Sequence, residues 1–316
     1  MSTRKYFSEF GLHVASSYVY LTQQDELAND AIGPTHIYLI CRRPRITLDP
    51  HSVHVSADVI TGEFLIHLAE ERTRIPFRAA NLLGETELTL DCPYPHARYA
   101  LLDRTGSPVA GGKVGLLFQH IQGGEHSEAD LEVLYVGQSF GHAGERTAPK
   151  RLEAHSTLQA IYSDLMIENP DHEVWLVFMQ FDEYQLASFD GSIGEYQTTE
   201  KEDQHHVDRV MDGEVSLQQT INFTEAALIR YFQPAYNKVY KHSFPNPAHS
   251  TYAECYDLDL NGISFEIDTG PIRLRLWSEK IERSWLHLGT FPLHSADDRR
   301  AMFDLSHLVD DSDGAS

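Results

Sequence analysis

The sequence contains few cysteines and no long apolar run. Cys41, Cys92 and Cys255 are the only cysteines, and they form neither a C-x-x-C pair nor a disulfide framework, which favours a reducing cytoplasm. The apolar runs at residues 37–41 and 174–179 are far shorter than the roughly 20 residues that a membrane span needs. No apolar segment follows the basic N-terminus, so a secretory signal is not expected. We therefore predict a cytoplasmic protein with no membrane partner.

Basic residues are also scarce. The chain has 25 Lys and Arg against 47 Asp and Glu, which gives a formal net charge of −22. Such a charge argues against indiscriminate binding to nucleic acid or to an anionic membrane. The 18 histidines reduce the negative charge when they are protonated, below about pH 6.5. Any nucleic-acid chemistry must therefore depend on a local site.

Length and patterning predict an α+β protein with three regions. A chain of 316 residues with 41% hydrophobic and 23% charged residues is long enough for two or three packed domains. Short alternating runs with turn residues between them predict a β-rich N-terminal domain at residues 1–110. Residues 111–245 predict a mixed β-β-α-β-α unit with an acidic insertion at about 182–219. Residues 246–316 predict a β-rich extension with an acidic tail.

Individual elements follow from the same patterns. Residues 36–40, 113–120, 131–137, 271–277 and 284–288 predict strands, residues 149–165 a helix, 173–181 a buried strand, and 223–232 a second helix. In the C-terminal region, Asn261-Gly262 lies between two apolar runs, 256–260 and 263–267, and predicts a β-hairpin. Residues 297–308 predict a short helix.

One ordered set of residues in the middle region has side chains suited to catalysis. Tyr135 closes a strand, Arg151 and His155 have i, i+4 spacing on the first predicted helix, Glu225 opens the second, and Asn237 closes the segment. A carboxylate can hold Mg²⁺, a guanidinium can stabilise negative charge on a phosphate, and Tyr or His can move a proton. These are the parts that metal-assisted phosphodiester cleavage needs.

Each residue also has a structural interpretation. Tyr135 fits an amphipathic strand, Arg151 a solvated helix face, and His155 a structural role. Glu225 lies three residues after an Asn, so it fits a capping box, and Asn237 fits a turn. The combination in this order is less expected by chance than any single member.

The set resembles the GIY-YIG nuclease superfamily over about residues 113–241. Tyr135-Val136-Gly137 is similar to its second signature, YIG, and Arg151 and His155 match the Arg and His of its first helix. The family's metal-binding glutamate corresponds to Glu225. Its ending, E-x-x-L-I followed by P-x-Y-N, corresponds to Leu228, Ile229, Pro234, Tyr236 and Asn237.

The resemblance implies a small mixed sheet flanked by helices and cleavage of DNA, or sometimes RNA, with Mg²⁺ or Mn²⁺ as the cofactor. Glu225 would bind the metal and Arg151 the scissile phosphate. Tyr135 and His155 would transfer protons or orient the nucleophile, and Asn237 would position the glutamate or the phosphate. A role in defence or repair follows by family analogy alone.

Two departures keep other hypotheses open. The best match to the first signature, GIY, is Gly115-Leu116-Leu117, where Leu117 replaces a tyrosine that often acts as general base; Tyr135, His142 or His155 could replace it. Residues 131–245 also hold 18 Asp and Glu against 8 Lys and Arg. The alternatives are a degenerate scaffold that binds a protein or nucleic acid without cleavage, and an acidic mimic of DNA. Whether the chain dimerises or has a protein partner stays open.

Overall fold

The computed structural model describes residues 3–28, 32–33, 35–139, 148–152, 155–189 and 196–303. Over these residues the protein is mixed α+β, as predicted. The strands are β1 (Ser8–Thr22), β2 (Ile37–Pro44), β3 (Ile46–Leu48), β4 (His54–Val55), β5 (Val59–Leu68), β6 (Glu71–Ala80), β7 (Thr89–Asp91), β8 (Arg98–Leu102), β9 (Pro108–Lys113), β10 (Leu131–Gln138), β11 (His172–Phe189), β12 (Gly262–Asp268), β13 (Leu276–Trp277) and β14 (Leu286–Pro292). The helices are α1 (Val114–Gln122), α2 (Ala148–Leu152), α3 (Ser156–Glu168), α4 (Glu200–Asp212), α5 (Leu217–Phe232) and α6 (Ala253–Asp257).

A seven-stranded sheet forms the centre of the molecule. Its strand order is β13-β10-β2-β11-β1-β12-β14, with β1–β12 and β10–β13 parallel and the other pairs antiparallel. Strand β2 therefore lies between β10 and β11. In that register Tyr38 is opposite Gly137 of β10 and Phe178 of β11.

The two faces of this sheet carry different helices. Ile37, Leu39 and Cys41 of β2 join a large core with the apolar residues of α5. Tyr38 and Ile40 point to the opposite face and pack with α3. Because successive strand residues alternate between faces, Tyr38 reaches the side of the sheet where α3 begins.

A separate module is inserted between β2 and β10. It contains β3 to β9 and α1, and its own core includes Phe64, Phe77 and Phe118. Arg43 connects the module to the central sheet. Its guanidinium donates to Gly115 O at 3.0 Å and to Gln119 Oε1 at 2.9 Å, both in α1, and lies 4.5 Å from the ring of Trp175.

The central sheet crosses the boundaries predicted near residues 110 and 245. Strands β1 and β2 come from the predicted N-terminal domain, and β12, β13 and β14 come from the C-terminal extension. The sequence pattern identified most of these strands. It did not show that they pair with strands of the middle region, because strand pairing over such separations leaves no local signal.

Two predicted β elements are helical. Residues 114–122 form α1 instead of a strand, because Val114 and Phe118 both face the module core at helical spacing. Residues 253–257 form α6, which includes the start of the predicted strand 256–260. The hairpin predicted at Asn261-Gly262 is therefore wrong, and β12 pairs with β1 and β14 instead. Asn261 is buried, and its Nδ2 donates to Glu9 Oε2 at 3.1 Å and to Arg300 O at 2.9 Å, contacts that fix a different chain direction.

The region predicted as an acidic insertion is largely regular structure. Strand β11 continues to Phe189 and pairs with β1 from Leu176 to Phe189, α4 follows from Glu200, and α5 begins at Leu217. The helix predicted at 297–308 is absent over residues 297–303, and the rest of it lies outside the described residues. None of the helices in the described part of the chain is long and apolar enough to cross a membrane.

Candidate active site

A hydrogen bond joins β2 to the start of α3. The hydroxyl of Tyr38 lies 3.1 Å from Nε2 of His155, and both side chains are buried. His155 Nδ1 accepts a hydrogen bond from the main-chain N–H of Leu158 at 3.2 Å. Because Nδ1 is an acceptor, this assigns the proton of the neutral ring to Nε2, which donates to the Tyr38 oxygen. Burial and the charge of Arg151 lower the pKa of His155, so the ring is neutral at pH 7.

His155 and Arg151 do not share a helix, contrary to the prediction. Arg151 lies in α2, which ends at Leu152, whereas His155 is the N-cap of α3 with extended backbone angles (φ −88°, ψ 112°). The imidazole accepts from an N–H three residues ahead, as N-cap side chains do, and that role requires a non-helical backbone. Their charges still interact, since Arg151 lowers the pKa of His155.

Tyr135 and Gly137 complete this face of the β2–β10 pair. The ring centre of Tyr135 lies 5.3 Å from that of His155 and 6.3 Å from that of Tyr38. A Cβ at Gly137 would lie 2.5 Å from the Tyr38 hydroxyl and 2.7 Å from Cε1 of Tyr135. Glycine is therefore what allows the two tyrosine rings to lie against the strand.

Arg151 and Glu225 act on both tyrosine hydroxyls. Burial raises the pKa of Tyr38 far above its usual range, with a smaller opposing effect of Arg151 through its charge and a hydrogen bond. Burial also raises the pKa of Tyr135, the charge of Glu225 adds to this, and Arg151 and a hydrogen bond from Tyr38 oppose it. The four side chains therefore form one electrostatic cluster.

Glu225 lies in the interior of α5, half-buried. Burial raises the pKa of its carboxyl to about 7, although hydrogen bonds from the side chain and main chain of Gln138 and the charge of Arg151 lower it. The Gln138 amide also donates to Asn222 Oδ1 at 2.8 Å. Since α5 begins at Leu217 with Ser216 as its N-cap, Glu225 is not a capping residue. That alternative is wrong.

The carboxylate of Glu225 suits a divalent cation of the Mg²⁺ type. Such ions are commonly held by one or two protein carboxylates, with water and substrate phosphate completing the shell. Desolvation outweighs the stabilisation by Gln138 and Arg151, so this carboxylate lacks full charge compensation, which a cation would supply. Among the described residues, no group of three or more His, Cys, Asp and Glu is arranged to hold a metal ion. Of the four side chains in this electrostatic cluster, Glu225 is the one whose carboxylate could be a ligand of such an ion.

Asn237 holds the main chain of β10. Its Oδ1 accepts from Val136 N at 2.9 Å, and its Nδ2 donates to Val136 O at 2.9 Å. The next contact upstream is similar, because Tyr236 N donates to Leu134 O at 3.1 Å. Asn237 therefore fixes the strand that carries Tyr135 and Gly137, whereas the family resemblance implies a contact with glutamate or phosphate.

Two other candidates from the sequence are not in this cluster. Leu117 lies in α1 and packs against the core of the inserted module, so the segment matched to the first signature is not a strand beside β10. His142 lies outside the described residues.

No family model, curated protein or solved structure matches this chain.

Sequence reasoning missed two residues of the cluster, Tyr38 and Gln138. Residues 36–40 are predicted as a strand, and a tyrosine in a strand of otherwise aliphatic residues is the available signal. Local pattern gives no reason to place Tyr38 in the site, because about 90 residues separate β2 from β10. Gln138 directly follows Gly137 and has no distinguishing pattern.

Proposed function

We propose that this protein is a metal-dependent nuclease of the GIY-YIG type, which hydrolyses phosphodiester bonds of nucleic acid, DNA rather than RNA. The observation that carries the proposal is the meeting of Tyr38, Tyr135, Arg151, His155 and Glu225 at one end of the β2–β10 pair. These side chains come from five separate elements. A position of this kind in a core is ordinarily filled by apolar residues, so the polar cluster indicates function.

Tyr38 supports the proposal because it supplies a candidate for the tyrosine of the first signature, which the match at residues 115–117 lacks. His36-Ile37-Tyr38 resembles the signature GIY with His in place of Gly, and it lies in the strand hydrogen-bonded to Tyr135-Val136-Gly137. With Tyr38 in this role, the leucine at position 117 is not an argument that catalytic function has been lost.

The hydrogen bonds suggest an order for proton transfer. His155 and Arg151 donate to the oxygen of Tyr38, and Tyr38 donates to Tyr135. Tyr38 is 0% exposed and Tyr135 is half-buried, so Tyr135 is the hydroxyl that reaches solvent and substrate. Tyr135 would exchange a proton with the attacking water or the departing oxygen, and Tyr38 would hold it in place.

Charge stabilisation would come from Arg151 and Glu225. The guanidinium of Arg151 would bind the scissile phosphate and stabilise its additional negative charge. Glu225 would hold Mg²⁺ or Mn²⁺, which when bound polarises a phosphate oxygen and stabilises the leaving oxygen. Gln138 would keep the Glu225 carboxylate oriented.

We also propose that the protein works in the cytoplasm. Cys41, Cys92 and Cys255 are all free and buried. Thiols that persist without pairing are typical of reducing compartments.

Cleavage by the wild type and Glu225→Ala tests the function. Each protein is incubated with plasmid DNA, single-stranded DNA and RNA in Mg²⁺, Mn²⁺ or EDTA. We expect metal-dependent cutting of DNA by the wild type and a loss of about 1,000-fold or more in the variant, because metal-assisted charge stabilisation supplies several kcal/mol. Manganese binding, followed by electron paramagnetic resonance, should also weaken in Glu225→Ala.

Glu214→Ala is the matched control, since Glu214 is exposed and precedes the same helix. It should cut like the wild type. If the folded wild type cuts no substrate with either metal, or if Glu225→Ala keeps its turnover, the nuclease assignment is wrong and the scaffold hypothesis replaces it.

A further inference from the structure

The longest stretch without an acidic residue begins directly after Glu225. Residues 226–253 contain no Asp or Glu over 28 positions, in a chain that has 47 of them. The same stretch holds Arg230, Lys238 and Lys241, together with two histidines. Its local charge is therefore opposite to that of the chain as a whole.

This stretch is attached to the candidate active site at two points. Asn237 binds both main-chain groups of Val136, between Tyr135 and Gly137. Farther along, Thr251 O accepts from Asn222 Nδ2 at 2.8 Å, and Asn222 lies one helical turn before Glu225. Residues 238–250, which we call the basic loop, therefore run between two anchors, one on the strand that carries Tyr135 and one on the helix that carries Glu225.

The basic loop buries a phenylalanine and exposes its cations. Phe244 is buried and, with Tyr252 just beyond the loop, joins the core packed on α5. Lys238 and His242 are exposed, and Lys241 is partly exposed. Arg230 Nη1 donates to Lys241 O at 2.6 Å, which fixes the loop to the end of α5. The cations are thus presented to solvent by an anchored backbone.

Aromatic rings accompany these cations. The ring centres of Tyr240 and His249 are 5.3 Å apart, and those of His249 and Tyr252 are 5.8 Å apart. Positive charge interleaved with rings is the combination that holds a phosphate backbone and its bases in sequence-tolerant complexes.

We propose that the basic loop is the surface on which the nucleic-acid backbone docks beside the cluster of Tyr135 and Glu225, an inference that rests on the proposed function. Lys238 and Lys241 contact phosphates, and the acidic remainder of the molecule repels the polyanion from other faces. The loop positions the bound nucleic acid on the protein, because phosphate contacts fix its register and orientation. It also resolves the conflict between a net charge of −22 and a polyanionic substrate.

Binding without cleavage tests the loop. Fluorescence anisotropy of a labelled DNA strand and duplex is measured in EDTA against Glu225→Gln protein, with and without the further changes Lys238→Gln and Lys241→Gln. We expect the dissociation constant to rise about tenfold at low salt. In a plot of the logarithm of the dissociation constant against the logarithm of the salt concentration, the slope should fall by about two, because each of the two lysines neutralises one phosphate.

Lys201→Gln with Lys280→Gln is the matched control, because both lysines are exposed elsewhere in the fold and the net charge changes equally. It should bind like the parent. Equal weakening in both pairs, no weakening in the loop pair, or no binding by the parent would each overturn the proposal. Retained binding with no cleavage by wild-type protein would overturn the proposed nuclease and leave the docking surface intact. Thermal melting confirms that each variant is folded.

Discussion

The hydroxyl of Tyr38 lies 3.1 Å from Nε2 of His155, a residue 117 positions later in the chain. The contact joins the middle strand of the β10-β2-β11 set to the N-cap of α3. It brings a buried hydroxyl next to Tyr135, opposite Gly137. The candidate site therefore depends on a pairing of strands that the inserted module separates in sequence.

Tyr38→Phe should lower cleavage by about 100-fold, because Tyr135 loses the hydrogen bond from Tyr38 that orients it for proton transfer. The change removes one oxygen and leaves the His155 N–H without its partner, which should cost about 1–3 kcal/mol of folding free energy. Cleavage rates and urea unfolding measure the two effects separately.

Tyr162→Phe is the control for that substitution, because Tyr162 packs in the same core and lies in α3. It should retain wild-type cleavage. A Tyr38→Phe variant that cuts at the wild-type rate would show that Tyr38 has no part in the reaction.

Glu225→Gln should alter how stability depends on pH in EDTA. Because the pKa of Glu225 is raised to about 7 in the folded protein, folding favours its protonated form. The wild type therefore loses this contribution to its stability as the pH rises from about 4.5 through 7, where the unfolded chain ionises first, and the variant has no such contribution to lose. The unfolding free energy of the wild type should fall relative to that of Glu225→Gln by about 2 kcal/mol between pH 5 and pH 8.

Urea unfolding of both proteins at the two pH values measures this difference. Glu214→Gln, at an exposed position, should follow the wild type. Parallel pH dependence of the wild type and Glu225→Gln would mean that the carboxyl is ionised without cost, and it would remove the argument for a cation there.

Asn237→Ala should destabilise the protein by about 2–4 kcal/mol, because it leaves the N–H and C=O of Val136 without partners in a buried strand. Cleavage should also fall, since Tyr135 and Gly137 lie on either side of Val136 in the chain. Thermal melting and cleavage of the remaining folded protein are the measurements.

Asn246→Ala is a suitable comparison, since the Asn246 side chain accepts an exposed hydrogen bond from Ala248 N. Its effect on stability should be under about 1 kcal/mol. If Asn237→Ala were equally mild, Asn237 would not be the residue that fixes β10.

Several parts of the fold could be predicted from local pattern. The strand at residues 173–181 and the helix at 223–232 are present, and the structure extends both. The strand predictions for residues 113–120 and 256–260 failed because both segments are short. In such segments the choice between helix and strand depends on what the segment packs against.

The sequence by itself determined the negative charge of the molecule, the acid-free stretch after Glu225, and the order in which Tyr135, Arg151, His155, Glu225 and Asn237 occur. These are properties of composition and spacing. Only the tertiary structure decided that Tyr38 joins them, that His155 caps its own helix, and that Asn237 binds Val136. Those relationships arise from strand register and from hydrogen bonds between distant segments, which no local pattern of residues encodes.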